Sequence, residues 1–170
     1  MFLKKLPNLR RLVIDGNPLD KEYMNVIKEL NINTGYLGEI TKKDFEWLKE
    51  YASRDDIAEA TLNENKQREF TFTKLPITVE VKKTQIKDGK VVIENPLKDW
   101  ENAGALLDSE KEAPSGMTVS EDGSNITFDV TNDKEKIYKY DINIEDYSTE
   151  FEGRPANIHG TVELKLKIVD

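Results

Sequence analysis

The side chains able to do chemistry are few. His159 is the single histidine and cysteine is absent. A Ser/His/Asp relay would have to use His159, yet no Gly-x-Ser-x-Gly elbow accompanies it. A zinc site would need Asp and Glu to supply nearly every ligand, an uncommon donor set. Carboxylates are plentiful, 33 against 25 Lys and Arg. In principle two of them could act as a glycosidase-type acid/base pair. The obvious clusters, Asp55-Asp56, Glu110 with Glu112, and Glu145-Asp146, read instead as solvated charge at loops and helix ends. Glu121-Asp122-Gly123-Ser124-Asn125 lacks the full Asp ladder and distal Glu of a calcium loop, so it reads as a hairpin turn. No phosphate loop or dinucleotide fingerprint occurs. The expectation is a protein that is not an enzyme and carries no cofactor and no metal.

Composition narrows the partners. The formal charge of −8 argues against nucleic acid, whose phosphates demand a surplus of Lys and Arg. The basic group Lys4, Lys5, Arg10 and Arg11 is followed closely by Asp15, Asp20 and Glu22, as on a solvated face. No run approaches the roughly 18 apolar residues of a membrane span. The amino terminus has no secretory apolar core, because Asn8, Arg10 and Arg11 interrupt it.

Behind these residues stand two periodic patterns. Residues 6–19 read LxxLxxLxLxxNxL through Leu6, Leu9, Leu12, Ile14, Asn17 and Leu19, the signature of a leucine-rich repeat. In such a coil Leu12-x-Ile14 is a short strand whose alternate residues face a common core, and Asn17 bonds backbone groups left open at the bend. Two echoes follow. One runs from Ile27 through Leu30 and Ile32, with Gly35 at the Asn position. The other runs from Ile57 through Ala60 and Leu62 to Asn65. Asp20 is placed to cap a short helix, and a longer helix is predicted over 41–54. There Thr41 and Asp44 form a capping box ahead of the Phe45, Leu48 and Tyr51 stripe. A stable solenoid stacks about three or more repeats, so the pattern implies further repeats upstream of Met1.

From about Thr71 the period becomes two: Ile77-Val79-Val81, Ile126-Phe128-Val130, Tyr138-Tyr140-Ile142-Ile144 and Val162-Leu164-Leu166-Ile168. One buried and one wet face produce this alternation. Asp88-Gly89 and Asp122-Gly123 supply hairpin turns, and the whole describes an antiparallel sandwich. Residues 94–116 and 145–157 read as long polar loops. Trp47 fits helix or inter-domain packing. Trp100 fits folding back over the sandwich edge, with partner anchoring as the alternative.

The order of these patterns resembles bacterial internalin-type surface proteins. Residues 6–19 match the repeat. Gly123-Ser124-Asn125-Ile126-Thr127-Phe128-Asp129-Val130 resembles a family strand that usually carries Trp where Phe128 stands. Residues 137–140 and 160–162 resemble the strands that follow. The helix at 41–54 and the loop at 145–157 are larger than that family's. The expected fold is α+β overall: the end of a leucine-rich-repeat solenoid with helices over residues 1–66, then an all-β immunoglobulin-like sandwich over 67–170. The resemblance implies an extracellular or cell-surface adhesion fragment of a Gram-positive bacterium that binds a protein partner. Contact candidates on the concave strands are Arg11, Val13, Asp15, Asn31 and Asn33. The alternative is a carbohydrate- or wall-binding accessory domain of a larger surface protein.

Overall fold

The computed structural model describes residues 9, 11–13, 34–52, 68–98, 113–130, 134–147 and 156–170. The elements are β1 (Arg11–Val13), β2 (Thr34–Glu39), α1 (Lys42–Ala52), β3 (Arg68–Lys82), a 3-10 turn (Lys83–Gln85), β4 (Lys90–Glu94), β5 (Met117–Val119), β6 (Asn125–Asp129), β7 (Glu135–Tyr147) and β8 (Ala156–Val169). They form a five-stranded sheet ordered β1-β2-β3-β8-β7 and a three-stranded sheet ordered β4-β6-β5. The described residues fall into two compact units, Met1–Leu75 with Ile144–Gly160, and Pro76–Asn143 with Thr161–Asp170. Strands β3, β7 and β8 are each divided between them.

The expected α+β architecture is overturned. The described residues are 65% strand and 10% helix, with one short helix, and no solenoid with helices is evident. Of that pattern Leu9 and Leu12 are described, and β1 buries Leu12 between exposed Arg11 and Val13, an alternation that does not by itself require a coil. The first echo was also misaligned. Gly35, expected at a turn, lies inside β2, paired with Leu12 on one side and Phe70 on the other. A Cβ at Gly35 would sit 2.9 Å from the Phe70 ring, so the glycine makes room for an aromatic. The second echo, at 57–65, lies outside the described residues.

The antiparallel immunoglobulin-like sandwich is corrected as well. β1, β2 and β3 run parallel. Thr71 meets His159 across 88 positions and Glu80 meets Lys167 across 87, so β3 and β8 advance in the same direction. Asp141 meets Thr161 while Lys139 meets Glu163, a falling register that makes β7 and β8 antiparallel. The five-stranded sheet is therefore mixed. Only β4-β6-β5 is wholly antiparallel.

In the first unit, Leu12, Leu37, Phe70, Phe72 and Ile158 are buried. Both β2 and β3 then step by three, from Leu37 to Ile40 and from Phe72 to Leu75, to their next large buried side chains. Strict alternation would have driven Glu39 and Lys74 inward, at a cost of several kcal/mol for unpaired charge. The phase change leaves them paired at 3.5 Å and partly exposed. Helix α1 begins as anticipated. Asp44 N–H donates to Thr41 Oγ1 (3.1 Å) and Thr41 N–H donates back to Asp44 Oδ2 (2.9 Å), a capping box with Asp in the Glu role. The helix presents fully buried Phe45 and Leu48, and Phe45 meets Phe72 edge-on at 5.6 Å.

In the second unit, alternation holds along β4 (Val91, Ile93), β6 (Ile126, Phe128), β7 (Tyr138, Tyr140, Ile142) and β8 (Val162, Leu164, Leu166), all buried. Phe128 of one sheet packs on Tyr138 of the other at 4.6 Å, and the Tyr138 hydroxyl donates to the Asp129 carbonyl (3.3 Å). Asp88 and Gly89 both take positive φ, 51° and 73°, the conformation an Asp-Gly hairpin supplies. Buried Asn95 ends β4 by donating to the Gly123 carbonyl (2.8 Å) and accepting from Leu97 N–H (3.0 Å).

Two substitutions test this packing in opposite directions. A Cβ at Gly160 would lie 2.4 Å from the Phe72 carbonyl oxygen, so Gly160→Ala must move backbone and is expected to cost about 2 kcal/mol by urea denaturation. The Tyr140 hydroxyl is buried without a hydrogen-bond partner, and burial pushes its phenol well above the ordinary value. Tyr140→Phe is therefore expected to raise stability by about 1 kcal/mol. The gain should widen as pH rises past about 10, where the unfolded wild-type phenol ionises. A loss of stability would show that the hydroxyl is satisfied.

Candidate functional site

The strand registers of the first unit assemble one outward face. Leu12, Gly35, Phe70 and Ile158 point to the core, so their neighbours in sequence point away from it. Val13 pairs with Tyr36, Tyr36 with Thr71, and Thr71 reaches His159, forming one row across four strands. Arg11 and Glu69 belong to the row beside it, their backbones both in register with residue 34.

Val13 is 57% exposed, an unusual position for a branched apolar side chain. The Arg11 guanidinium lies 5.3 Å from the centroid of the Tyr36 ring, so the two form a cation–π stack next to Val13. Such a stack holds a flexible arginine in one place, which lowers the entropy lost if it meets a partner. At the other end Thr71 Oγ1 and His159 Nε2 are 2.7 Å apart, and the tautomer of the imidazole decides which one donates. A hydroxyl on an imidazole is half of a nucleophile–base arrangement. Among the described residues no group of three or more His, Asp and Glu gathers as metal ligands would.

Of the residues expected to make contact, Arg11 and Val13 fall on this face. Asp15, Asn31 and Asn33 lie outside the described residues. Tyr36, Glu69, Thr71 and His159 were not singled out as contacts by sequence reasoning. Their signal was present as the out-of-phase partners of Gly35, Leu37, Phe70 and Phe72. Reading it required knowing that β8 lies beside β3. Trp100, Asp55, Asp56, Glu110 and Glu112 lie outside the described residues, while Glu145 and Asp146 belong to the β7 backbone.

The segment once weighed as a calcium loop forms a hairpin turn between β5 and β6. Asp122 Oδ1 accepts from Ser120 Oγ (2.6 Å), Ser124 Oγ (2.7 Å) and Ser124 N–H (3.0 Å). Ser120 Oγ in turn accepts from Asn125 N–H (3.0 Å), and Gly123 takes the positive φ of 70° that closes the turn. These bonds, the Ser120 hydroxyl foremost, lower the Asp122 carboxyl from 3.8 to about 2.

No helix among the described residues is long and apolar enough to cross a membrane. No family model matches the chain, and no curated protein matches it.

A depressed carboxylate contributes stability that is complete above its unfolded value and lost as pH falls through its folded value. The urea midpoint of the wild type should therefore exceed that of Asp122→Ala above pH 3.8, with the gap closing toward a pH of about 2. A gap that stays constant across that window would show the turn bonds to be absent in solution.

Proposed function

We propose that this chain is a non-catalytic recognition module that captures a protein partner at a bacterial cell surface, through the outward face of β1, β2, β3 and β8 in the first unit. The observation that carries this reading is the exposed Val13 beside the Arg11–Tyr36 stack. Interface centres are enriched in arginine and aromatic anchors, each needing a dry contact and a hydrogen-bonding rim. Here Val13 and Tyr36 offer the apolar centre. Arg11, Glu69, Thr71 and His159 offer donors and acceptors around it. The complementary surface would carry an apolar side chain for Val13 and a carboxylate or carbonyl acceptor for Arg11. The alternative, a carbohydrate- or wall-binding accessory domain, would use Tyr36 as a stacking platform for a sugar ring.

Val13→Asp and Tyr36→Ala are each expected to weaken binding to intact target cells about thirtyfold, the size of a hot-spot loss. Val92→Asp, exposed on β4 in the second unit, should bind as the wild type does. Protease treatment of the cells should abolish capture. Loss on enzymatic deglycosylation alone would move the reading to the glycan alternative, and wild-type binding by both face variants would end it.

A further inference from the structure

Among the described residues, β7 is the last strand of the five-stranded sheet, with β8 on one side only. Ile168 N–H donates to the Lys134 carbonyl (2.8 Å), and the β7–β8 register continues unbroken through Lys139–Glu163 and Asp141–Thr161. Backbone groups alternate sides along an antiparallel strand. Even-numbered residues of β7 therefore turn their N–H and C=O toward β8. Glu135, Ile137 and Lys139 turn theirs outward, along the edge.

The side chains on that edge are self-complementary. Ile137 is 50% exposed, one of three large apolar side chains so exposed among the described residues. Glu135 precedes it by two positions and Lys139 follows it by two. If a second β7 lies antiparallel about a two-fold axis at Ile137, each Glu135 faces the other copy's Lys139 and the two Ile137 side chains meet. The outward backbone groups of Ile137 then form a hydrogen-bonded pair across the axis. Backbone parity, exposed apolar residue and charge order thus select the same register. A lysine on a sheet edge ordinarily discourages pairing. Here Glu135 at the symmetry-related position gives Lys139, whose ammonium also pairs with Glu163 of β8 at 2.8 Å, a second carboxylate.

We infer that two copies of this chain associate edge to edge through β7, extending the five-stranded sheet antiparallel across a two-fold axis at Ile137. The contact involves residues 135–139 of each copy, well under a standard interface, so the dimer is weak and forms at roughly tens of micromolar.

Sedimentation velocity on the full chain from about 5 to 500 µM tests this. A monomer–dimer equilibrium is expected. Glu135→Lys or Lys139→Glu alone should weaken it about tenfold, because two-fold symmetry places each like-charge clash twice. The double variant E135K/K139E should return it to within about twofold of the wild type. Since the chain has no cysteine, Ile137→Cys gives a second readout. The Cα atoms of a hydrogen-bonded pair sit about 5.5 Å apart, within disulfide reach. Oxidised I137C should form a covalent dimer, whereas Val92→Cys, at a still more exposed site in β4, should not. A monomer at every concentration, a dimer indifferent to the single charge changes, or a double variant that stays dissociated would each overturn the inference. If a charge variant fails to fold, the cysteine pair decides it alone.

Discussion

The parallel pairing of β3 with β8 is the constraint on which the rest depends. Two strands can run parallel in one sheet only if the chain between them crosses back to its starting end. Here that crossover contains every strand from β4 to β7. Closing so long a connection has an entropic cost that local contacts cannot offset until the pairing forms. The intervening residues must therefore build stability of their own. They do so through the β4-β6-β5 sheet, which is entered through the Asp88-Gly89 turn ahead of β4 and whose β5–β6 turn is closed by the Asp122 hydrogen bonds. Along β3 and β8, Thr71–His159 and Glu80–Lys167, with Lys83–Asp170 just beyond the strand ends, mark the parallel course, the offset changing from 88 to 87 between the first pair and the second.

Within each unit the same rule produces core and surface together. A strand with one face buried fixes its other face by default, because a slip of one residue would exchange the two. Leu12, Gly35, Phe70 and Ile158 are inside, so Arg11, Val13, Tyr36, Glu69, Thr71 and His159 form the outward rows. The proposed recognition face is thus positioned by the core beneath it. Gly160 and Gly35 show how tightly that core is built, since each yields its side-chain space to a phenylalanine. In the second unit the Tyr140 hydroxyl is a local exception. It accepts desolvation without a hydrogen bond in order to place its ring among the apolar residues of β7 and β8.

Much of the local structure was legible in the residues. Alternation marked β6, β7, the later part of β8 and the second half of β3. Asp-Gly marked two turns, and Thr41 with Asp44 marked the start of α1. Each rests on interactions within a few positions, where side-chain type and backbone geometry are directly coupled. The leucine spacing at 6–19 was equally clear as a pattern and suggested the wrong architecture. Alternation and leucine spacing report which side chains are buried, and several architectures bury the same ones.

The sequence by itself determined the alternating stretches of β6, β7, β8 and the second half of β3, two Asp-Gly turns and the capped start of α1. Tertiary structure decided that β3 and β8 run parallel, that Gly35 is a strand residue beneath Phe70, and that His159 joins Thr71, Tyr36 and Val13 in one row. Those facts depend on pairings between residues 23 to 88 positions apart. Strand partners are chosen by packing of whole faces and by the closure of the chain between them, and neither quantity is written in any short window of residues.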